Sequence, residues 1–194
     1  MKKKKRLVVL ASGEGSNFEA IASAAARGEI AADVVALLCN KAGAPVLDRA
    51  NRLGVPVHLV DSSAYLKEGQ PDRNAYEAAL LERLTATRPD LICLAGYMRI
   101  IGNEILEKFG DRMLNIHPSL LPKYRGLNAI QQALEAGEKK TGCTVHWVVP
   151  AVDAGPIVLQ KELPILDDDT EASLRERLRP LEHATYIEAL KKLL

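Results

Sequence analysis

Neither sign of charge dominates this chain. Its 26 Lys and Arg face 25 Asp and Glu, a formal net charge of +1 over 194 residues, so no whole-domain field recommends nucleic acid or a membrane surface as partner. A small-molecule ligand is the better default. Cysteine is sparse as well. The three present, Cys39, Cys93 and Cys143, are far apart and set in apolar runs, which points to buried reduced thiols in a reducing compartment and offers no metal-ligand spacing. Long hydrophobic runs are missing: none approaches the roughly 18 residues that a membrane span requires. The segment after the N-terminal lysines enters a strand without a signal-peptide cleavage pattern, so the expected location is the cytoplasm. No repeat, low-complexity stretch or linker interrupts the chain, whose length suits one full-sized domain, 1–194. The basic run Lys2 to Arg6 sits at a chain end, where a solvated, frayed tail is expected.

What is present is an alternation of short apolar runs and helical patterns. Leu7 to Ala11 reads as a central strand buried on both faces. Further strands are expected over Asp33 to Cys39, Val57 to Val60, Asp90 to Ala95 and Met113 to His117, then Thr141 to Val149 and Ile157 to Leu163 as an antiparallel pair. Helices are expected from Phe18 towards Arg27, capped by Ser16 or Asn17, from Pro45 to Leu53, and from Arg73 to Thr87 with an Ala78, Leu81, Leu84 stripe. A short helix over Leu127 to Gly137 and a long one capped by Thr170 complete the set, with Tyr65 to Asp72 left as loop. This order predicts a three-layer α/β/α domain with a Rossmann-like, mostly parallel seven-stranded sheet and one antiparallel strand near the C-terminal edge.

Candidate chemistry collects at strand ends. Ser12-Gly13-Glu14-Gly15-Ser16-Asn17 follows the first strand and opens a helix, so its glycines allow a tight turn whose amides favour a phosphate; a turn without ligand is the alternative. The dinucleotide fingerprint needs a third glycine where Phe18 stands and an acidic residue where Cys39-Asn40-Lys41 stands, which disfavours NAD. Asn115 and His117 lie two apart on one strand, placing an amide donor and a group titrating near neutral pH on one face, a pairing suited to addition at a carbonyl carbon. The competing reading of His117 is a packed core histidine. Gly96 to Ile101 is an apolar loop, a pocket wall or ordinary packing. Arg73, oddly placed for the helix dipole, is either solvated or a holder of an anionic ligand. His58 reads as a structural or half-exposed strand residue, His146 as either a strand histidine buried with a partner or a site residue, the structural option being preferred, and Asp153 as a residue of a tight turn.

Four segments in order, Gly13 to Asn17, Ala95 to Ile100, Asn115 to Pro122 and Asp153 to Ile157, resemble the formyltetrahydrofolate-dependent formyltransferases over essentially the whole chain. The resemblance implies catalysis by Asn115, His117 and Asp153, with 10-formyltetrahydrofolate as formyl donor and the amine of glycinamide ribonucleotide as acceptor, a one-carbon step of purine synthesis. It further implies that Gly15, Ser16, Asn17, Arg179, Pro180, Leu181 and Glu182 hold the ribonucleotide, with Glu182 on the acceptor. The folate side would comprise Arg73, Met98, Arg99, Ile100, Ile101, Asn115, Val149, Pro150, Ala151, Val152 and Asp153, with the phosphate half N-terminal and the folate and catalytic half C-terminal. No metal, nucleic acid or membrane partner is implied, and the chain would act as a monomer or homodimer. Two positions depart from the family pattern: Arg125 stands where Pro is common and Asn128 where His is frequent, which bears on loop shape. Within the superfamily a formyltetrahydrofolate hydrolase or the catalytic part of a methionyl-tRNA formyltransferase are the competing enzymes. A folate- or nucleotide-binding module without turnover is the competing non-enzyme, and it would not need Asn115, His117 and Asp153 together.

Overall fold

The computed structural model describes residues 4–194. In chain order the elements are β1 (Lys5–Ala11), α1 (Ser16–Ala26), β2 (Ala32–Cys39), α2 (Pro45–Arg52), β3 (Val57–Leu59), β4 (Leu66–Lys67), β5 (Gln70–Pro71) and α3 (Arg73–Thr87). There follow β6 (Leu91–Leu94), α4 (Asn103–Phe109), β7 (Met113–His117), α5 (Ala129–Glu135), β8 (Lys140–Trp147), β9 (Ile157–Pro164) and α6 (Glu171–Leu193). The main sheet has seven strands in the order β3-β2-β1-β6-β7-β8-β9, and β4 and β5 form a separate hairpin. Only β8 runs against its neighbours, pairing antiparallel with both β7 and β9. The expected sheet is thus the observed one.

Alternation along β1 explains the three layers. Leu7, Val9 and Ala11 face one side and pack with Phe18 and Ile21 of α1, Val46 of α2 and Tyr186 and Leu190 of α6. Val8 and Leu10 face the other and pack with Leu80 and Leu84 of α3 and Ile105 and Phe109 of α4. All five strand residues are fully buried, each aliphatic side chain contributing about 1.5–3 kcal/mol by its removal from water. Because β2 lies on one side of β1 and β6 on the other, the chain reverses its direction of sheet growth at β1. The connections after β1 and β6 diverge there and leave a crevice at the carboxyl ends of the strands.

Several local expectations are corrected. The residue that caps α1 is Gly15, in the left-handed region at φ 74 and without a side-chain cap bond, rather than Ser16 or Asn17, which already belong to the helix. Tyr65 to Asp72 contains the β4–β5 hairpin, because Glu68 and Gly69 both adopt positive φ between its strands, the backbone that a tight hairpin turn demands. The buried stripe of α3 is Tyr76, Leu80, Leu84 and Thr87, while Ala78 is exposed; the larger side chains win the core-facing positions. Lys2 and Lys3 lie outside the described residues. Lys4 pairs with Asp33 at 2.9 Å, and Lys5 and Arg6 belong to β1, with Arg6 Nη2 donating to the Thr87 carbonyl at 2.8 Å. This half of the basic run is therefore anchored by ladder and side-chain bonds rather than frayed.

Candidate active site

At the carboxyl end of β7, Asn115 and His117 point into the crevice side of the sheet, two residues apart as strand pleating requires. Across the ladder Asn115 is the direct partner of His146 on β8. The acidic component arrives from the connection between β8 and β9, where Asp153 takes a positive φ of 48. That connection is folded tightly onto the end of β8: Trp147 N–H donates to the Pro156 carbonyl at 2.9 Å. A Cβ on Gly155 would lie 1.8 Å from the Trp147 carbonyl oxygen, so only glycine allows this approach.

The resulting cluster is hydrogen-bonded throughout. His117 Nδ1 lies 3.3 Å from Asp153 Oδ2, and its Nε2 donates to the Tyr124 carbonyl at 2.7 Å. Both ring nitrogens face acceptors, a set that the ring carrying two protons satisfies. Asn115 Nδ2 donates to Asp153 Oδ1 at 3.3 Å and lies 3.3 Å from His146 Nε2. Gly126 N–H donates to Asp153 Oδ2 at 2.9 Å, and His146 Nε2 stands 3.5 Å from Asp153 Oδ1. Burial pushes the Asp153 carboxyl up, but His146, the Gly126 amide and the charge of His117 outweigh it and hold the group below its ordinary value. It stays an anion at neutral pH.

His146 is the residue for which the sequence reading preferred the structural option to the site one. Its strand position allowed a structural role, yet as the direct cross-strand partner of Asn115 it lies on the same face of the sheet as that residue.

The glycine turn follows β1, which β6 separates from β7 in the sheet. A Cβ on Gly15 would fall 2.3 Å from Val46 Cγ2, so the turn is closed against α2. Ser16 and Asn17 form the first turn of α1, and Asn17 Nδ2 reaches across to Glu182 Oε2 on α6 at 2.8 Å. Burial raises the Glu182 carboxyl, with the Asn17 bond opposing it. Glu182 therefore meets the turn as a half-buried acceptor. Of its neighbours, Arg179 pairs with Glu176 at 3.0 Å, Pro180 lies within the helix, and Leu181 packs against the cluster of Ile130, Leu174 and Leu178.

The apolar loop after β6 alternates inward and outward. Met98 and Ile100 are 70% and 61% exposed, whereas Ile101 is buried and the Arg99 guanidinium stacks 4.6 Å over the Tyr76 ring. Tyr97 and Tyr76 join through their hydroxyls. Ser12 ties this loop to the glycine turn, accepting from Met98 N–H at 2.9 Å and donating to Asn40 Oδ1 at 2.6 Å. Of the segment Val149 to Val152, Val149 is half-buried while Pro150, Ala151 and Val152 are exposed. Two outward apolar loops thus flank the polar cluster. Arg73 stands apart at the start of α3, its Nε donating to Glu77 Oε1 at 2.6 Å. Among the described residues no group of three or more His, Cys, Asp or Glu is placed to hold a metal ion, and no helix is long and apolar enough to cross a membrane.

A protein-family model described as formyl transferase matches residues 5–190. The chain is 40% identical to the phosphoribosylglycinamide formyltransferase of Bacillus subtilis (strain 168), covering 98% of this chain and 95% of that protein. It is 45% identical to the trifunctional purine biosynthetic protein adenosine-3 of Drosophila melanogaster, covering 98% of this chain but spanning only 14% of that protein's length. The crystal structure of glycinamide ribonucleotide transformylase 1 from Symbiobacterium toebii superposes with a TM-score of 0.93 at 46% identity, covering 98% of this chain and 88% of the other. With a family match over residues 5–190 on a sheet of this order, the chain belongs to the formyl transferase family.

Proposed function

We propose that this chain transfers the formyl group of 10-formyltetrahydrofolate to the amine of glycinamide ribonucleotide, yielding formylglycinamide ribonucleotide and tetrahydrofolate in purine biosynthesis. The observation that carries the reading is the joining of Asn115, His117 and Asp153 in one hydrogen-bonded cluster between the glycine turn and the outward apolar loops. The whole span 1–194 is read as one formyltransferase domain acting in the cytoplasm, as a monomer or homodimer.

The residues divide the work by chemistry. Gly15, Ser16 and Asn17 offer α1 N-terminal amides to the ribonucleotide phosphate, where the helix dipole favours an anion. Arg179, Pro180 and Leu181 border the same substrate. Glu182 accepts a hydrogen bond from the substrate amine and aims its lone pair at the formyl carbon. Met98, Ile100, Val149, Pro150, Ala151 and Val152 form the apolar walls for the flat ring of the donor, whose polar edge is met by backbone groups of the two loops. Arg99 and Ile101 shape the loop from inside, and Arg73 meets the donor's carboxylates.

As the amine nitrogen bonds to the formyl carbon, negative charge grows on the formyl oxygen. Asn115 and the His117 imidazolium donate hydrogen bonds to that oxygen, exchanging for it their bonds to His146 Nε2 and the Tyr124 carbonyl, while Asp153 keeps His117 Nδ1 and holds the ring in place. When the bond from carbon to the donor nitrogen N10 breaks, the proton lost by the attacking amine moves to N10, with His117 and Asp153 as its relay through water. Mass spectrometry of a reaction mixture tests the assignment: a formyl group on the ribonucleotide amine is the expected product, and free formate alone would reassign the chain to hydrolysis.

A further inference from the structure

The glycine turn is held from outside by α2. Arg49 on α2 donates from Nε to the Glu14 carbonyl at 2.7 Å, and its Nη1 is ion-paired with Glu19 in the first turn of α1. One turn earlier on α2, Val46 N–H donates to the Gly13 carbonyl at 3.1 Å, and its side chain fills the space beside Gly15. Both carbonyls of the turn are therefore drawn towards α2. In a trans peptide the carbonyl and the following N–H point in opposite directions, so the Glu14 and Gly15 amides are turned away from α2.

Charge separates two ways in which Arg49 can act. Its guanidinium already faces Glu19 and, at 4.0 Å, Glu14 Oε2, while Arg52 shares Glu19 at 3.6 Å. An arginine so compensated has little field left for a further anion, but its rigid fork of donors is well suited to bridging a carbonyl and a carboxylate. We infer that Arg49 is the positioning residue of the phosphate turn, fixing the direction of the Glu14–Gly15 peptide so that its amide meets the ribonucleotide phosphate. The inference rests on the assignment of that turn to the phosphate.

Steady-state kinetics of Arg49→Met, Arg49→Lys and Glu19→Gln test it, with ribose 5-phosphate as a competing probe on the unaltered chain. Arg49→Met is expected to raise KM for the ribonucleotide about tenfold, with kcat and KM for the folate within about twofold. Arg49→Lys, which keeps the charge but loses the fork, behaves like Arg49→Met, and Glu19→Gln, which keeps Arg49 but removes its anchor, shifts KM the same way. Recovery by Arg49→Lys, or a lower KM in Glu19→Gln, overturns the inference in favour of a direct counter-ion. If ribose 5-phosphate competes with the ribonucleotide and Arg49→Met leaves KM unchanged, the inference alone falls. If ribose 5-phosphate does not compete, the phosphate assignment falls and takes the inference with it.

Discussion

His117 Nδ1 and Asp153 Oδ2 stand 3.3 Å apart, joined from a central strand and a turn at the sheet edge. The carboxylate that reaches His117 is also bonded by Gly126 N–H and by Asn115, so it fixes the two donors of the site relative to one another. Loss of its charge should disturb the reaction more than the fold.

Asp153→Asn keeps the shape of the side chain and removes its charge. Turnover is expected to fall by about a hundredfold or more while both substrates still bind, since the imidazolium loses its counter-charge. Calorimetric titration alongside kinetics checks this, and a fully active variant would break the link between Asp153 and His117.

Asn115→Ala removes the amide that the proposed mechanism turns towards the reacting oxygen. A drop in kcat of about 10²–10³ is expected for an oxyanion donor, with circular dichroism unchanged. Unaltered turnover in a folded variant would take Asn115 out of the mechanism.

Gly15→Ala places a Cβ at positive φ and 2.3 Å from Val46 Cγ2. The backbone strain alone costs about 1–3 kcal/mol, so denaturant midpoints should fall and KM for the ribonucleotide should rise. Unchanged stability would mean that the turn relaxes freely and is not closed against α2.

Glu182 gives a pH signature. Its folded carboxyl is raised by burial above the ordinary 4.5, so the folded state holds the proton more tightly than the unfolded one. The stability this brings is complete below the unfolded value and is lost as pH rises through the folded one. Glu182→Gln mimics the protonated form, and its melting temperature should gain on that of the parent chain as pH rises from the ordinary carboxylate value of 4.5 through the raised folded one. Parallel melting curves across that window would show that Glu182 pays no desolvation penalty.

Much of the architecture was legible because buried parallel strands leave a strong imprint. Leu7 to Ala11 and Leu91 to Leu94 are continuous apolar runs with zero to 5% exposure, and the bounds of α3 match its pattern of polar and apolar residues. What was illegible depended on contacts distant in sequence. The burial of Tyr76 in place of Ala78 follows from its partners Tyr65, Tyr97 and Arg99, and His146 enters the cluster by pairing with Asn115 across the β7–β8 ladder, a register that no pattern local to either strand announces. Asn115 and His117 declared themselves by spacing on one strand. Asp153 was visible only through the resemblance of its turn, because nothing local to Asp153-Ala154-Gly155-Pro156 says which strand end it will meet.

The most direct measurement is the absorbance change on deformylation of 10-formyltetrahydrofolate by the purified protein, followed with and without glycinamide ribonucleotide. The proposed transfer gives signal only when the ribonucleotide is present, and that signal collapses in Asp153→Asn. Equal signal without the ribonucleotide would contradict the account and identify a hydrolase, and folate binding with no signal in either case would contradict it by leaving a binding module without turnover.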